Sequence, residues 1–140
     1  MRLVLDVENT TVKRGGKLLL DPFEPGLELV QVGTQNVDNL DETNIYTLNH
    51  KEKQDVGGMQ AKQIQILLDH TTLLIMHNAQ HDLMWLWESG FKYDGEIYDT
   101  MLAEYILLRG QKEPLSMDAC AERRQLEFQK DDTLKRYFKE

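Results

Sequence analysis

Residues 2–8 carry the apolar run Leu3-Val4-Leu5 and end in the polar stretch Asn9-Thr10-Thr11, the pattern of a central strand. Residues 13–26 contain Gly15-Gly16, Pro22 and Pro25, which predict turns and loop, with a short strand over Leu18-Leu19-Leu20. Two further β-prone runs, 27–33 and 45–48, stand on either side of a polar bridge over 36–44. Together with the first strand they predict an antiparallel meander. Gly57-Gly58 breaks the chain before 59–70, where Ala61, Ile64, Leu67 and Leu68 recur at helical spacing. From there the order changes to strand (71–76), polar turn, and an apolar helix that ends at Ser89-Gly90. A short strand over 96–98 leads into a helix over 101–108, which Asp99 is placed to cap. Ser116 is placed to cap 117–126, and Asp131 or Asp132 a last helix through Phe138. A β meander followed by alternating helices and strands predicts an α/β domain, a mixed sheet flanked by helices.

Composition narrows this picture. The 140 residues are 41% hydrophobic, which suits one core and argues against two independent domains. No apolar run approaches the roughly 18 to 20 residues of a membrane span. Only three apolar residues separate Met1-Arg2 from Asp6, so no signal peptide is expected, and the expected location is cytoplasmic. Cys120 has no second cysteine for a disulfide or a zinc ribbon and reads as a small core residue. With 24 acidic against 16 basic residues the net charge is −8, which argues against gripping nucleic acid by bulk positive charge. Carboxylates that hold divalent cations escape this argument, because the loaded site presents positive charge to a phosphate.

Asp6 and Glu8 are two positions apart at the end of the first strand, so their side chains leave one face roughly 6 to 7 Å apart. Alone, the pair reads as solvated acids on a strand face. Asn78-x-x-x-Asp82 stands where a buried strand turns into a helix, and strand ends are where α/β sheets assemble their sites. Asp82 would then face Asp6 and Glu8, and three such oxygens suit hard cations and phosphoryl transfer. Capping accounts equally for Asp82, and a turn for Asn78.

Asp6-Val7-Glu8, the run His77-Asn78-Ala79-Gln80-His81-Asp82 and the run from Tyr98-Asp99-Thr100 to Leu107 together resemble the DEDD 3′-5′ exonucleases. They are most similar to the proofreading domains of family A DNA polymerases, particularly phage ones in which the exonuclease domain begins almost at the first residue. The resemblance covers residues 2 to about 126 and implies the ribonuclease H-like exonuclease fold, a five-stranded mixed sheet opening with the meander. It implies two divalent cations, Mg2+ or Mn2+: Asp6 bridging both, Glu8 on the ion that activates water, and Asp82 supporting the second. It implies that Asn78 helps hold the terminal nucleotide or the site loop. The implied reaction releases nucleoside monophosphates from the 3′ end of single-stranded DNA. The implied partner is a DNA polymerase domain, in cis or on a separate chain, in the host cytoplasm if the gene is a phage's. An exoribonuclease of the same superfamily, or a non-catalytic module that binds single strands or docks on a polymerase, are the rival readings.

One element of the pattern is missing. The family has a fourth carboxylate, an Asp four positions after a Tyr or His, and no Tyr or His of residues 1–140 is followed by Asp at that spacing. The expectation is one 3′-5′ exonuclease-like domain over 1–140, incomplete at its C-terminal side, with poor catalysis unless that carboxylate is supplied. Thr10, Lys13 and Arg14 are further substrate-binding candidates. The run Lys13-Arg14-Gly15-Gly16-Lys17 suits either a phosphate backbone or a solvated hairpin tip. His81 stands where the family often has an aromatic residue, either packed at the helix start or near the ions. Trp85, Trp87, Phe91 and Tyr105 suit base stacking or, by their spacing, the core.

Overall fold

The computed structural model describes residues 1–49, 55 and 58–126. The chain forms two compact units, Met1–Thr100 and Met101–Glu140. In the first unit β1 (Arg2–Asn9), β4 (Leu29–Asn36), β5 (Asn39–Thr47), β6 (Leu73–Met76) and β7 (Glu96–Asp99) form one sheet in the order β5-β4-β1-β6-β7. The pairs β1–β4 and β4–β5 are antiparallel, while β1–β6 and β6–β7 are parallel. This mixed sheet, opening with an antiparallel meander and carrying helices α1 (Met59–Asp69) and α2 (Ala79–Glu88), is the ribonuclease H-like arrangement expected from the sequence. A separate two-stranded sheet pairs β2 (Val12–Arg14) with β3 (Lys17–Leu19).

Alternation in β1 decides the orientation of the sheet. Leu3, Leu5 and Val7 are buried, and Arg2, Val4, Asp6 and Glu8 leave the opposite face exposed. The buried set packs with Ile64 and Leu68 of α1 and with Ala79, Leu83, Trp85 and Leu86 of α2. Each such aliphatic side chain contributes about 1.5 to 3 kcal/mol. The apolar side of β1 is thereby spent on the core, and its acids are left on the other side.

The polar bridge expected over 36–44 is mostly strand. A two-residue turn, Val37-Asp38, joins β4 to β5. β5 lies at the sheet edge and is exposed over most of its length, so it needs no apolar face. Side-chain bonds tie it to β4: Gln35 to Thr43 at 3.1 Å, and Asn36 to Glu42 at 2.9 Å. α1 is capped from outside its own first turn by Asp55, whose carboxylate accepts from the amides of Gln60 and Ala61 at 2.8 and 3.1 Å.

In the second unit the described residues include most of α3 (Thr100–Leu107) and all of α4 (Met117–Arg123). Ser116 caps α4, its hydroxyl accepting from the Ala119 amide at 3.2 Å, as its sequence position predicts. α4 ends at Arg123, short of the expected residue 126. Cys120 is half-buried rather than core, with its thiol 3.6 Å from the Leu115 carbonyl. The last expected helix, through Phe138, lies outside the described residues. Among the described residues no helix is long and apolar enough to cross a membrane.

Candidate active site

The parallel pairing of β1 with β6 sets Val4 opposite Ile75. Asp6, two residues further, is therefore level with the turn His77-Asn78 that opens α2. Asn78 adopts the left-handed conformation, φ 67°, at the N-cap of α2, and its side chain does not cap the helix. The free amides of this turn are met instead by Asp99, whose Oδ1 accepts from Asn78 N–H and Oδ2 from Ala79 N–H, both at 3.0 Å. Asp99 thus serves the first turn of α2, across the sheet from its own place in the sequence. The register β6–β7, which sets Met76 beside Asp99, makes this cap possible. Thr100 adds a second clasp, its hydroxyl lying 3.3 Å from the Met76 carbonyl and 2.8 Å from His77 Nδ1.

This clasp fixes the first turn of α2 and with it Asp82, which is 2% exposed. Its Oδ2 is buried without a hydrogen-bond partner. Burial first, then the charges of Asp6, Asp99 and Glu8, push its carboxyl up to about 8. A lone buried carboxylate among three other acids is held as the neutral acid near pH 7, since its charged form has neither solvent nor counter-charge. Asp6, Glu8 and Asp82 are therefore electrostatic neighbours at the carboxyl ends of β1 and β6. Among the described residues no three His, Cys, Asp or Glu side chains converge as a ready-made metal-ligating group. The donor set nevertheless fits a hard divalent cation: oxygen ligands only, one of them buried and unsatisfied.

His81, one residue before Asp82, is half-buried and bonds Asn9 at the end of β1. The Asn9 side-chain amide donates to the carbonyls of Thr10 at 2.8 Å and Leu20 at 3.3 Å. Its Oδ1 then accepts from His81 Nε2 at 3.1 Å. Burial lowers the imidazole pKa against the opposing pull of Asp6, which favours the neutral ring.

The remaining candidates separate. The Thr10 hydroxyl is committed to the backbone of Glu28, accepting from its N–H at 2.7 Å. Lys13 and Arg14 stand on β2, and Arg14 pairs with Glu24. Trp85 and Phe91 are buried in the core, which removes them as stacking platforms, and Trp85 Nε1 donates to the Leu20 carbonyl at 3.0 Å. Trp87 and Tyr105 are exposed. Sequence reasoning missed Asn9. Its signal was local: a side-chain amide at the end of an apolar strand is suited to take up the backbone groups the strand leaves unpaired.

Residues 20–136 match the family model described as 3′-5′ exonuclease. The chain belongs to the 3′-5′ exonuclease family. The match takes in Asn78, Asp82 and Asp99 of this exonuclease domain, while Asp6, Glu8, Thr10, Lys13 and Arg14 precede it. Comparison with curated proteins gives no match. The family hydrolyses nucleic acid from the 3′ end and generally uses divalent metal ions, in keeping with an acidic site built of oxygen donors.

Proposed function

We propose that this domain is a metal-dependent 3′-5′ exonuclease acting on single-stranded DNA, the proofreading part of a phage-type DNA polymerase. The observation that carries the reading is Asp82: a buried carboxyl with an unsatisfied oxygen, set among Asp6, Glu8 and Asp99 where β1 and β6 end. Asp6, Glu8 and Asp82 would hold the cations, Mg2+ or Mn2+. Bound there, the ions supply Lewis-acid stabilisation of the phosphodiester and an activated water for its hydrolysis. The chain's own contribution is placement. β1 carries Asp6 and Glu8 on its exposed face, the Asp99 clasp fixes the α2 turn that carries Asp82, and burial keeps bulk water from Asp82. Asn78, exposed on that turn, and Lys13 on β2 are on hand for the 3′ nucleotide and its backbone, whereas the Thr10 hydroxyl and Arg14 are held by Glu28 and Glu24. The similarity of Tyr98-Asp99-Thr100-Met101-Leu102 to family A polymerase domains favours DNA over RNA.

The missing Tyr/His-x-x-x-Asp supports a second part of the proposal, that residues 1–140 are one domain completed by a carboxylate from a segment outside them. It also favours the rival reading, a strand-binding or polymerase-docking module without catalysis. Degradation of a 5′-labelled single-stranded DNA with Mn2+, beside RNA of the same sequence and the Asp6→Ala variant, tests these. A ladder shortening from the 3′ end on DNA and lost in the variant supports the exonuclease. A ladder on RNA alone supports the exoribonuclease. Silence on both, persisting after extension through the downstream coding sequence, leaves the binding module.

A further inference from the structure

The β2–β3 hairpin stands apart from the main sheet, yet both its ends are tied to the elements that carry the acids. It follows β1 after Asn9, through Thr10-Thr11, and its second strand ends at Leu19, next to Leu20. The Leu20 carbonyl accepts twice, from Trp85 Nε1 on α2 at 3.0 Å and from Asn9 Nδ2 on β1 at 3.3 Å. Asn9 closes the triangle by accepting from His81, beside Asp82. The tip is tight: Arg14 pairs with Lys17, and Gly15 and Gly16 have φ of 60° and 80°. Positive φ at both central residues of a two-residue loop is the turn whose twist matches the strands, so the tip is stiff. Its surface combines Lys13, Arg14 and Lys17 with exposed Leu18 (52%) and, beyond the hairpin, Phe23 (64%). Arg14 is engaged by Glu24; Lys13 and Lys17 form no salt bridge among the described residues. In a domain of net charge −8, two such lysines beside exposed apolar side chains on a stiff arm match a single strand, with phosphates for the cations and bases for the apolar surface.

We propose that the β2–β3 hairpin is an arm gripping the phosphate backbone of a single strand behind its 3′ end, and that Trp85 and Asn9 are positioning residues that hold the arm against the acids. The inference rests on the exonuclease reading for where the strand ends, but its test is read by binding. Affinity of labelled oligothymidylates and oligouridylates of increasing length is measured by fluorescence anisotropy with Ca2+, over a range of salt, for the parent chain, K13Q/K17Q, W85F and the combined triple variant. Losing two phosphate contacts flattens the slope of log affinity against log salt by about 1.4 and weakens binding about 25-fold at 0.1 M salt. The loss falls on longer strands and spares dinucleotides. W85F, which keeps an aromatic side chain but replaces the indole with a smaller phenyl ring and so removes its N–H, loses part of the same gain with length. In the triple variant it adds nothing, because it acts through the arm. An unchanged salt slope in K13Q/K17Q overturns the arm. A W85F loss that adds in full to the lysine loss overturns the positioning role. DNA against RNA distinguishes the source of the backbone. Parent chain that degrades DNA while K13Q/K17Q keeps the parent slope sinks this inference and leaves the exonuclease standing; binding as described without degradation does the reverse.

Discussion

Two buried acids in this chain have opposite fates. Glu104 on α3 is 6% exposed and fully answered: Arg123 Nη1 meets Oε1 at 2.6 Å, while Arg124 Nε and Nη2 meet Oε2 and Oε1 at 3.1 and 3.2 Å. Hydrogen bonds from Arg123, then Arg124, hold its carboxyl below the usual carboxylate range. Asp82 is 2% exposed and has one oxygen unanswered, with other acids for neighbours, and its carboxyl is pushed the other way. Burial is common to both, so burial does not make a site. The difference is that the second unit contains the counter-charge for Glu104, whereas the surroundings of Asp82 call for a cation from outside. One acid is closed and structural, and the other is the one proposed to take a cation.

The comparison breaks first on catalysis. With Mn2+ present, Asp82→Ala lowers the exonuclease rate by about 10² to 10³-fold, the loss of about 3 to 4 kcal/mol of metal-borne stabilisation. Glu104→Gln leaves that rate close to the parent's, and a gel-based rate for each variant checks both.

It sharpens next on stability without metal. A carboxyl whose folded pKa is raised stabilises fully below its unfolded value, near 4, and loses that contribution as pH rises through about 8. The metal-free parent therefore loses up to roughly 1 kcal/mol per pH unit across this window relative to Asp82→Asn, seen in urea titrations at several pH values. Excess Mn2+ reverses the order, since the parent gains more from it.

Glu104 has the opposite sign. Its folded pKa is lowered, so its contribution is present above the unfolded value, near 4.3, and is lost as pH falls through the folded one. Glu104→Gln lowers the melting temperature by several degrees at pH 7, and circular dichroism shows the gap to the parent closing in acid. Smallest is the exposed pair of Arg2 with Asp38. Arg2→Gln leaves the melting temperature nearly unchanged, and any shift vanishes in high salt.

The two acids were not equally legible in the sequence. Asp82 was, because the strand over 71–76, the turn and the apolar helix announce themselves by period, and that order carries the acid to a strand end. Glu104 was read only as part of a helix, since its partners lie 19 and 20 residues away and no local pattern links them. Asp99 shows the same limit. Sequence proximity points it only at α3, and the bonds to the amides that open α2 come from sheet register. β5 was half missed because an edge strand exposed over most of its length has no hydrophobic alternation to read. The anchoring of Leu20 by Trp85 spans 65 residues and belongs to tertiary packing alone.

The central claim is that Asp6 and Asp82 belong to one cation site. Calorimetric titration of Mn2+ into the chain, beside Asp6→Ala, Asp82→Asn and Glu104→Gln, tests it most directly. The account predicts binding by the parent and Glu104→Gln, abolished in Asp6→Ala and strongly weakened in Asp82→Asn. Unchanged binding in Asp6→Ala and Asp82→Asn would contradict it.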